Sequence, residues 1–493
     1  MGRHSPVAFG GGMGMRRLSA LMVQLALLAA GCAGGTATTT TVVTATSEAS
    51  TTTTTRATTT TEGATAATSP GGDGGATVIF HGGPIVTMED GLGTVEAIAL
   101  DGDEILAVGD AESVLALAGE GTEIIELEGM TVLPGLIDSH AHWIGDRNLV
   151  GIDSAEDAIL AALQQGFTSI SELFVNEDRL AELIALDEAG LLSVRVNMYF
   201  PVDYHTDHFG IWFRDLEPGS VLSPHLRMAG AKAFIDPANA ERFWLTDAHS
   251  DDPDYYGEVA WTQEELTAMV VELDDLGWQV AIHTAGDAAH DMVLNAYEAA
   301  LDGGPNDLRH RIEHVVLLRD DQMQRMIDLD IVASIQFTWF QSDWIAEDYW
   351  PLYEQELGLE RMPWVGRWRD LLDAGVMTIG GTDTPWTAAV SVGGLYEAVT
   401  RTGATGTPPD VWMLDQRITV EEALRLITAD AAYGTFEEDI KGTLAPGRLA
   451  DLIVVSANPL EIPAEQLIDL EVLAAVVGGE TVYCAQAGSS FCP

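Results

Sequence analysis

Positive charge is scarce in this chain: 23 Lys and Arg stand against 76 Asp and Glu, a formal net charge of −53. Only two of the basic residues are lysines, Lys232 and Lys441. Such a surface repels phosphate backbones and anionic bilayers, so nucleic acid is not an expected partner. The acidity fits either general solubility or adaptation to salt. Cysteine is almost absent, with three residues, Cys32, Cys484 and Cys492. There is no Gly-rich dinucleotide fingerprint and no P-loop, which removes two nucleotide-binding readings. The apolar run LSALMVQLALLAA at 18–30 falls short of the roughly 20 residues that a membrane-spanning helix needs.

That run is instead suited to an export signal. Arg16 and Arg17 precede it, and it ends at AAGC with Cys32. The arrangement resembles a bacterial lipoprotein signal over 1–31 and marks Cys32 as the residue to be lipidated; a plain secretory signal is the alternative, and Met15 is a candidate true start. The expected location is outside the cytoplasm, at the cell surface or the periplasmic side of the membrane, with a lipid anchor as the only membrane contact. Residues 32–75 form a Thr/Ser/Ala/Gly tract with almost no large apolar side chains. It cannot bury enough surface to offset its ordering entropy and reads as a tether. In such a compartment Cys484 and Cys492 could persist as a disulfide or as thiols.

The folded part is expected from 76 onward. Residues 76–133 and 441–485 carry short β-rich runs broken by Gly and Asp, such as ATVIFHGGPIVTM and EVLAAVVGGETVYC. They read as the two halves of one small β-sandwich domain, followed by a tail at 486–493. Between them, 134–440 alternates strand-like runs with helical stretches: the run ending at DSHAH, then GFTSISELF, SVRVNMYF, LRMAGAKAFID, WQVAIHTAGD, HRIEHVVLL, IVASIQFTW and VMTIGGTDT. Eight strands with helical connections predict an α/β fold, a (β/α)8 TIM barrel.

Active sites of such barrels lie at the C-terminal ends of the strands. Reading those ends gives His140 and His142, Lys232, His283, His314 and Asp383, all able to bind metal and all expected on one face. Alternate strand residues point to the same side, so both imidazoles of the HxH step can converge on one ion.

PGLIDSHAHW, AIHTAGDAAHDMVLNAYE, RHRIEHV, AGVMTIGGTDTPW and GTLAPGRLADLIV together resemble the amidohydrolase superfamily, closest to its family 3 branch, which includes N-substituted formamide deformylases. The resemblance spans roughly 76–483. It implies a metal-dependent hydrolase of non-peptide C–N bonds in small molecules, with one or two divalent ions, Zn²⁺ being the expected metal. His140 and His142 would hold one ion, His283 and His314 a second, and Asp383 would ligate the first and act as acid/base. Lys232 in GAKAFID matches the position of a carboxylated lysine bridging two metals; a salt bridge to Asp236 is the plain alternative. Heterocycle deamination uses nearly the same ligands, and a metal-bearing binding lipoprotein without turnover is a third reading. The oligomeric state is not legible. One departure from the family pattern is the short connection, about two dozen residues, between His142 and GFTSI.

Further residues carry weaker signals. His205 and His208 in DYHTDHFG, after the third barrel strand, are candidates for lining a substrate pocket or for an exposed loop. The aromatic segment after the seventh strand contains Trp339, Trp344, Tyr349, Trp350 and Trp364, either a packed subdomain or a wall for an apolar or aromatic substrate. Asp287 is a candidate support for a metal ligand, whereas His81, His290 and His310 read as structural.

Overall fold

The computed structural model of the protein describes residues 67–68, 75–202, 211–238, 240–339, 350–387, 389, 391–402, 411–486, 489 and 491–492. The signal segment, Cys32, His205, His208, Trp344 and Tyr349 lie outside these residues. Among the described residues no helix is long and apolar enough to cross a membrane.

Two sheets organise the chain. The first has nine strands: β1 (Ala67–Thr68), β2 (Ala76–Val86), β3 (Thr94–Asp101), β4 (Glu104–Gly109), β5 (Ala118–Glu126), β6 (Thr131–Pro134), β15 (Leu452–Val455), β16 (Val472–Val477) and β17 (Glu480–Cys484). The N-terminal and C-terminal β-rich stretches therefore join in one small domain. Its pairs are antiparallel except that β2 runs parallel to β5 and β6. Ala67 and Thr68, within the stretch read as a tether, pair with β4. The period of two is visible in β3, where Ile98 and Leu100 enter one apolar cluster and Ala97 and Ala99 another. Cys484 and Cys492 are joined by a disulfide.

The second sheet is the barrel: β7 (Leu136–Ala141), β8 (Phe167–Glu172), β9 (Arg195–Pro201), β10 (Leu226–Phe234), β11 (Gln279–Thr284), β12 (Arg311–His314), β13 (Val332–Gln336) and β14 (Thr378–Gly381), parallel and in sequence order. Every residue of β7, β8 and β11 is buried, as expected of strands covered on both faces. The covering helices are amphipathic. In the helix Gln263–Asp275 the buried residues Leu266, Met269, Val270 and Leu273 follow the i, i+3, i+4, i+7 stripe, and Thr262 with Glu265 closes a capping box at its start. Gly277, at φ 86°, turns the chain toward β11. Truncating Leu273 to Ala would cost about 2–5 kcal/mol, the range for a buried leucine.

The seam between β14 and β7 sets the site. Asp383 N donates to His140 O at 2.7 Å and His142 N donates to Thr384 O at 2.8 Å. The buried Asp138 carboxylate accepts from Thr382 N (2.8 Å), Thr382 Oγ1 (2.6 Å) and Trp143 Nε1 (2.9 Å). A Cβ on Gly381 would lie 2.7 Å from His140 N, so this approach requires glycine. Arg195 of β9 holds Asp451 at 2.6 and 2.8 Å, fixing the first sheet to the barrel. That ion pair gives the Asp of GRLAD a structural role.

Candidate active site

His140 and His142 leave β7 on the same side, and Asp383 follows β14 across the seam. Asp383 Oδ1 lies 3.4 Å from His140 Nε2 and 3.4 Å from His142 Nε2. The three residues are buried and form a group able to hold a metal ion. Two donors about 2.05 Å from a tetrahedral ion are about 3.4 Å apart, so both separations match ligands around a shared centre better than ordinary hydrogen bonds. Burial raises the Asp383 carboxyl, but the imidazoles around it outweigh that effect and hold it well below the usual carboxylate range.

His283 is the penultimate residue of β11 and His314 ends β12, their ring centroids 4.4 Å apart, with His314 4.6 Å from His140. Burial drives the His283 pKa down to about 3, helped by Lys232, and places His314 well below its usual value. Both rings are therefore neutral near pH 7, the form that offers a lone pair. His283 Nε2, His314 Nδ1 and Lys232 Nζ are buried without a hydrogen-bond partner. Three orphaned polar atoms at one barrel mouth are costly unless a ligand satisfies them. A divalent ion fits the two imidazole nitrogens, whereas Lys232 could join them only as a carbamate, since its ammonium has no lone pair.

Lys232, fully buried in β10, has its ammonium 4.8 Å from the Phe234 ring centroid. Burial lowers its pKa to about 8. The alternative partner Asp236 is turned away, accepting from Ala285 N (2.9 Å), Gly286 N (2.7 Å) and Trp244 N (3.1 Å). The second lysine shows the contrast: Lys441 Nζ, also buried, bonds Ser169 Oγ at 2.7 Å and Glu437 at 2.8 Å.

Several residues that sequence reasoning passed over complete the site. His140 Nδ1 lies 2.6 Å from Glu313 Oε2. Glu313 is fully buried and gripped by Arg311 from two positions earlier, whose Nη2 is 2.9 Å from Oε2 and whose Nε also donates to Oε1. Because Glu313 accepts, Nδ1 carries a proton, which leaves Nε2 as the nitrogen whose lone pair would face an ion held beside Asp383. Two charged residues at alternate positions inside RIEH both point into the barrel, a signal present in the sequence. Glu172, at the end of β8, receives Ile144 N (3.2 Å) and Gly145 N (2.7 Å) and fixes the loop after His142; burial raises its pKa to about 7.

The backbone is strained at the same place. His314 (φ 75°), Val315 (φ 47°) and Asp383 (φ 61°) adopt left-handed conformations that non-glycine residues avoid. Each costs on the order of 1–3 kcal/mol, and such strain clusters at functional sites.

Aromatic side chains surround the cluster. Trp339 lies 4.7 Å from His314, and Phe234 is 5.4 Å from His283 and 6.3 Å from Phe174. Trp364 packs against the main core instead. Asp287 receives Thr246 N and pairs with Arg319 at 2.7 Å rather than supporting a histidine. His290 hydrogen-bonds Gly286 O at 2.8 Å, and His310 lies 3.0 Å from Asp274.

Comparison with known proteins agrees with this architecture. The chain is 32% identical to Protein LONG AFTER FAR-RED 3 of Arabidopsis thaliana over 60% of its own length and 49% of the relative's. It is 30% identical to an N-substituted formamide deformylase of Arthrobacter pascens over 55% of the chain and 48% of the relative. It thus spans about half the length of the curated relatives it matches. An uncharacterized metal-dependent hydrolase from Pyrococcus horikoshii shares the fold, with TM-score 0.66 and 24% identity over 79% of this chain and 99% of that one. A model of the amidohydrolase family matches residues 151–483, beginning just after the HxH strand. With its barrel, its second sheet built from both ends of the folded region and this match, the chain belongs to the amidohydrolase family, in its family 3 branch.

Proposed function

We propose that the protein is a metal-dependent hydrolase of non-peptide C–N bonds in an amide, formamide or cyclic amide. The observation that carries this reading is the convergence of His140, His142 and Asp383 at 3.4 Å separations beside the unpartnered His283, His314 and Lys232. In it, His140, His142 and Asp383 hold one divalent ion, with Zn²⁺ the expected metal. His283 and His314 would hold a second, and Lys232, converted by CO₂ to a carbamate with loss of a proton, would add an anionic oxygen ligand. Metal in this site would lower the pKa of water from 15.7 to about 7 and polarise the substrate carbonyl.

The chain's own groups manage the proton and the substrate. Asp383, ionised at neutral pH, accepts the proton of the attacking water and returns it to the leaving nitrogen, first general base and then general acid. Glu313 keeps His140 in the tautomer whose Nε2 lone pair would face an ion held beside Asp383. Trp339, Phe234 and Phe174 form an apolar wall that would seat the non-reacting part of the substrate and exclude water. The protein is proposed to work outside the cytoplasm, anchored by a lipid on Cys32. Supporting the chemistry, a relative is named for deformylating N-substituted formamides.

The test is turnover of metal-replete protein on a panel of N-formyl, N-acyl and cyclic amides. Metal-dependent release of a carboxylate is expected. Release of ammonia from heterocycles instead would assign deamination, and binding without turnover would overturn the enzymatic reading.

A further inference from the structure

A second group of ligand atoms lies outside the barrel cluster. His249, Asp251 and Glu356 each present one within 4.8 Å of the others. His249 and Asp251 sit between β10 and the helix Gln263–Asp275, and Glu356 lies on the helix Trp350–Leu357 after β13. The His249 side chain is fully enclosed, with 0% exposure, while that of Glu356 is 9% exposed.

The tautomer of His249 is decided outside the group. Its Nε2 is 3.0 Å from the Phe243 carbonyl oxygen, which only accepts, so Nε2 carries the hydrogen and Nδ1 of the neutral ring is a bare lone pair. That lone pair faces Glu356 Oε2 at 3.3 Å. Glu356 in turn meets the Asp251 carboxylate. Three acceptors are thus turned on one point. The neighbouring Arg361 is committed elsewhere, to Ser250 Oγ, Leu357 O and Ala248 O, while Gln355 Nε2 donates into the group, to Asp251 Oδ2 at 3.2 Å and Glu356 Oε1 at 3.5 Å, and supplies it no positive charge.

We propose that His249, Asp251 and Glu356 bind a divalent first-row ion, Zn²⁺ or Mn²⁺, which fastens the loop after β10 to the helix Trp350–Leu357. The 3.3 Å separation of His249 Nδ1 and Glu356 Oε2 matches the roughly 3.4 Å between two ligands of a tetrahedral ion. A nitrogen donor among carboxylates suits such an ion better than Ca²⁺ or Mg²⁺, which favour all-oxygen sets. The clamp has a consequence for the barrel mouth. On the same helix Tyr353 packs 5.6 Å from Phe243 and its hydroxyl lies beside Trp339, whose ring lies 4.7 Å from His314. An ion at this place would hold the Trp339 wall over the first cluster.

The competing account is a protonated His249 paired with Glu356, which needs no metal. Full-length protein stripped by chelator, reloaded with Zn²⁺ and dialysed is assayed for ions per chain by mass spectrometry, with Zn²⁺ isotherms run alongside. His249→Gln and Glu356→Gln are each expected to retain one ion fewer than the parent, and Asp251→Asn to bind that ion at least tenfold more weakly. Because the readout is a difference between variants, it does not depend on how many ions the barrel cluster holds. Equal counts and superimposable isotherms would leave only the ion pair and overturn the proposal. Should the buried variants fail to fold, exposed Asp251→Asn decides alone, an unchanged isotherm counting against the site.

Discussion

Replacing Glu313 with Gln tests how the first ligand is aimed. Glu313 Oε2 faces two donors, His140 Nδ1 at 2.6 Å and Arg311 Nη2 at 2.9 Å, while Oε1 faces Arg311 Nε. A glutamine there has one oxygen and one NH2 group. If the NH2 takes the Oε2 position, it opposes both donors and drives the His140 proton to Nε2, removing the lone pair that would face an ion held beside Asp383. If it takes the Oε1 position, it opposes Arg311 Nε and leaves the guanidinium without a charge partner. Either orientation leaves a buried donor against a donor, a loss of about 1–3 kcal/mol. Loss of an outer carboxylate of this kind typically weakens metal binding by about 10–100-fold, or roughly 1.4–2.7 kcal/mol. The assay is Zn²⁺ competition against a chelator of known affinity, with urea unfolding of the metal-free protein in parallel. Metal affinity within twofold of the parent in a folded variant would refute the claim that Glu313 positions His140.

Asp383→Asn should lower turnover on any true substrate by orders of magnitude while the barrel folds, measured as kcat beside circular dichroism; near-native kcat would remove Asp383 from the proton path. Lys232→Met should change the pH dependence of stability in the metal-free protein. The folded pKa of Lys232 is depressed from 10.5 to about 8, so between these values the unfolded chain binds more protons and stability rises with pH. The parent should therefore gain on the order of 3 kcal/mol between pH 8 and 10.5 relative to Lys232→Met, read by urea unfolding, and parallel profiles would contradict the unpartnered ammonium. Cys32→Ser should move the protein from membrane to soluble fractions, and unchanged membrane association would dismiss the lipid anchor.

The barrel was legible because its strands are short apolar runs, four of them ending in a polar residue (Glu172, Thr284, His314 and Gln336), and amphipathic helices separate most of them. The ligand candidates were legible for the same reason: in DSHAH, IEH and GGTDT the metal-competent side chains stand where an apolar run stops. What could not be read was the partner of each group. Glu313 and Arg311 lie within the quoted RIEH, but that Glu313 reaches His140 across 173 residues depends on barrel closure. Asp138 likewise meets Thr382 only because β14 closes on β7. Asp287 had a sequence position suited to supporting a ligand, yet Arg319 lies nearer and takes its charge. The small domain read as a β-sandwich built from both ends, and the parallel pairing of β2 with β5 and β6 has no local sequence signature because register arises from long-range contacts.

The central claim is that the barrel mouth is a metal centre. Anomalous diffraction from Zn²⁺-loaded crystals tests it most directly. The account predicts a peak about 2.0–2.2 Å from His140 Nε2, His142 Nε2 and Asp383 Oδ1, with a second near His283 and His314 if Lys232 is carboxylated. A mouth without anomalous density, with both imidazoles still turned on Asp383 in active enzyme, would contradict it.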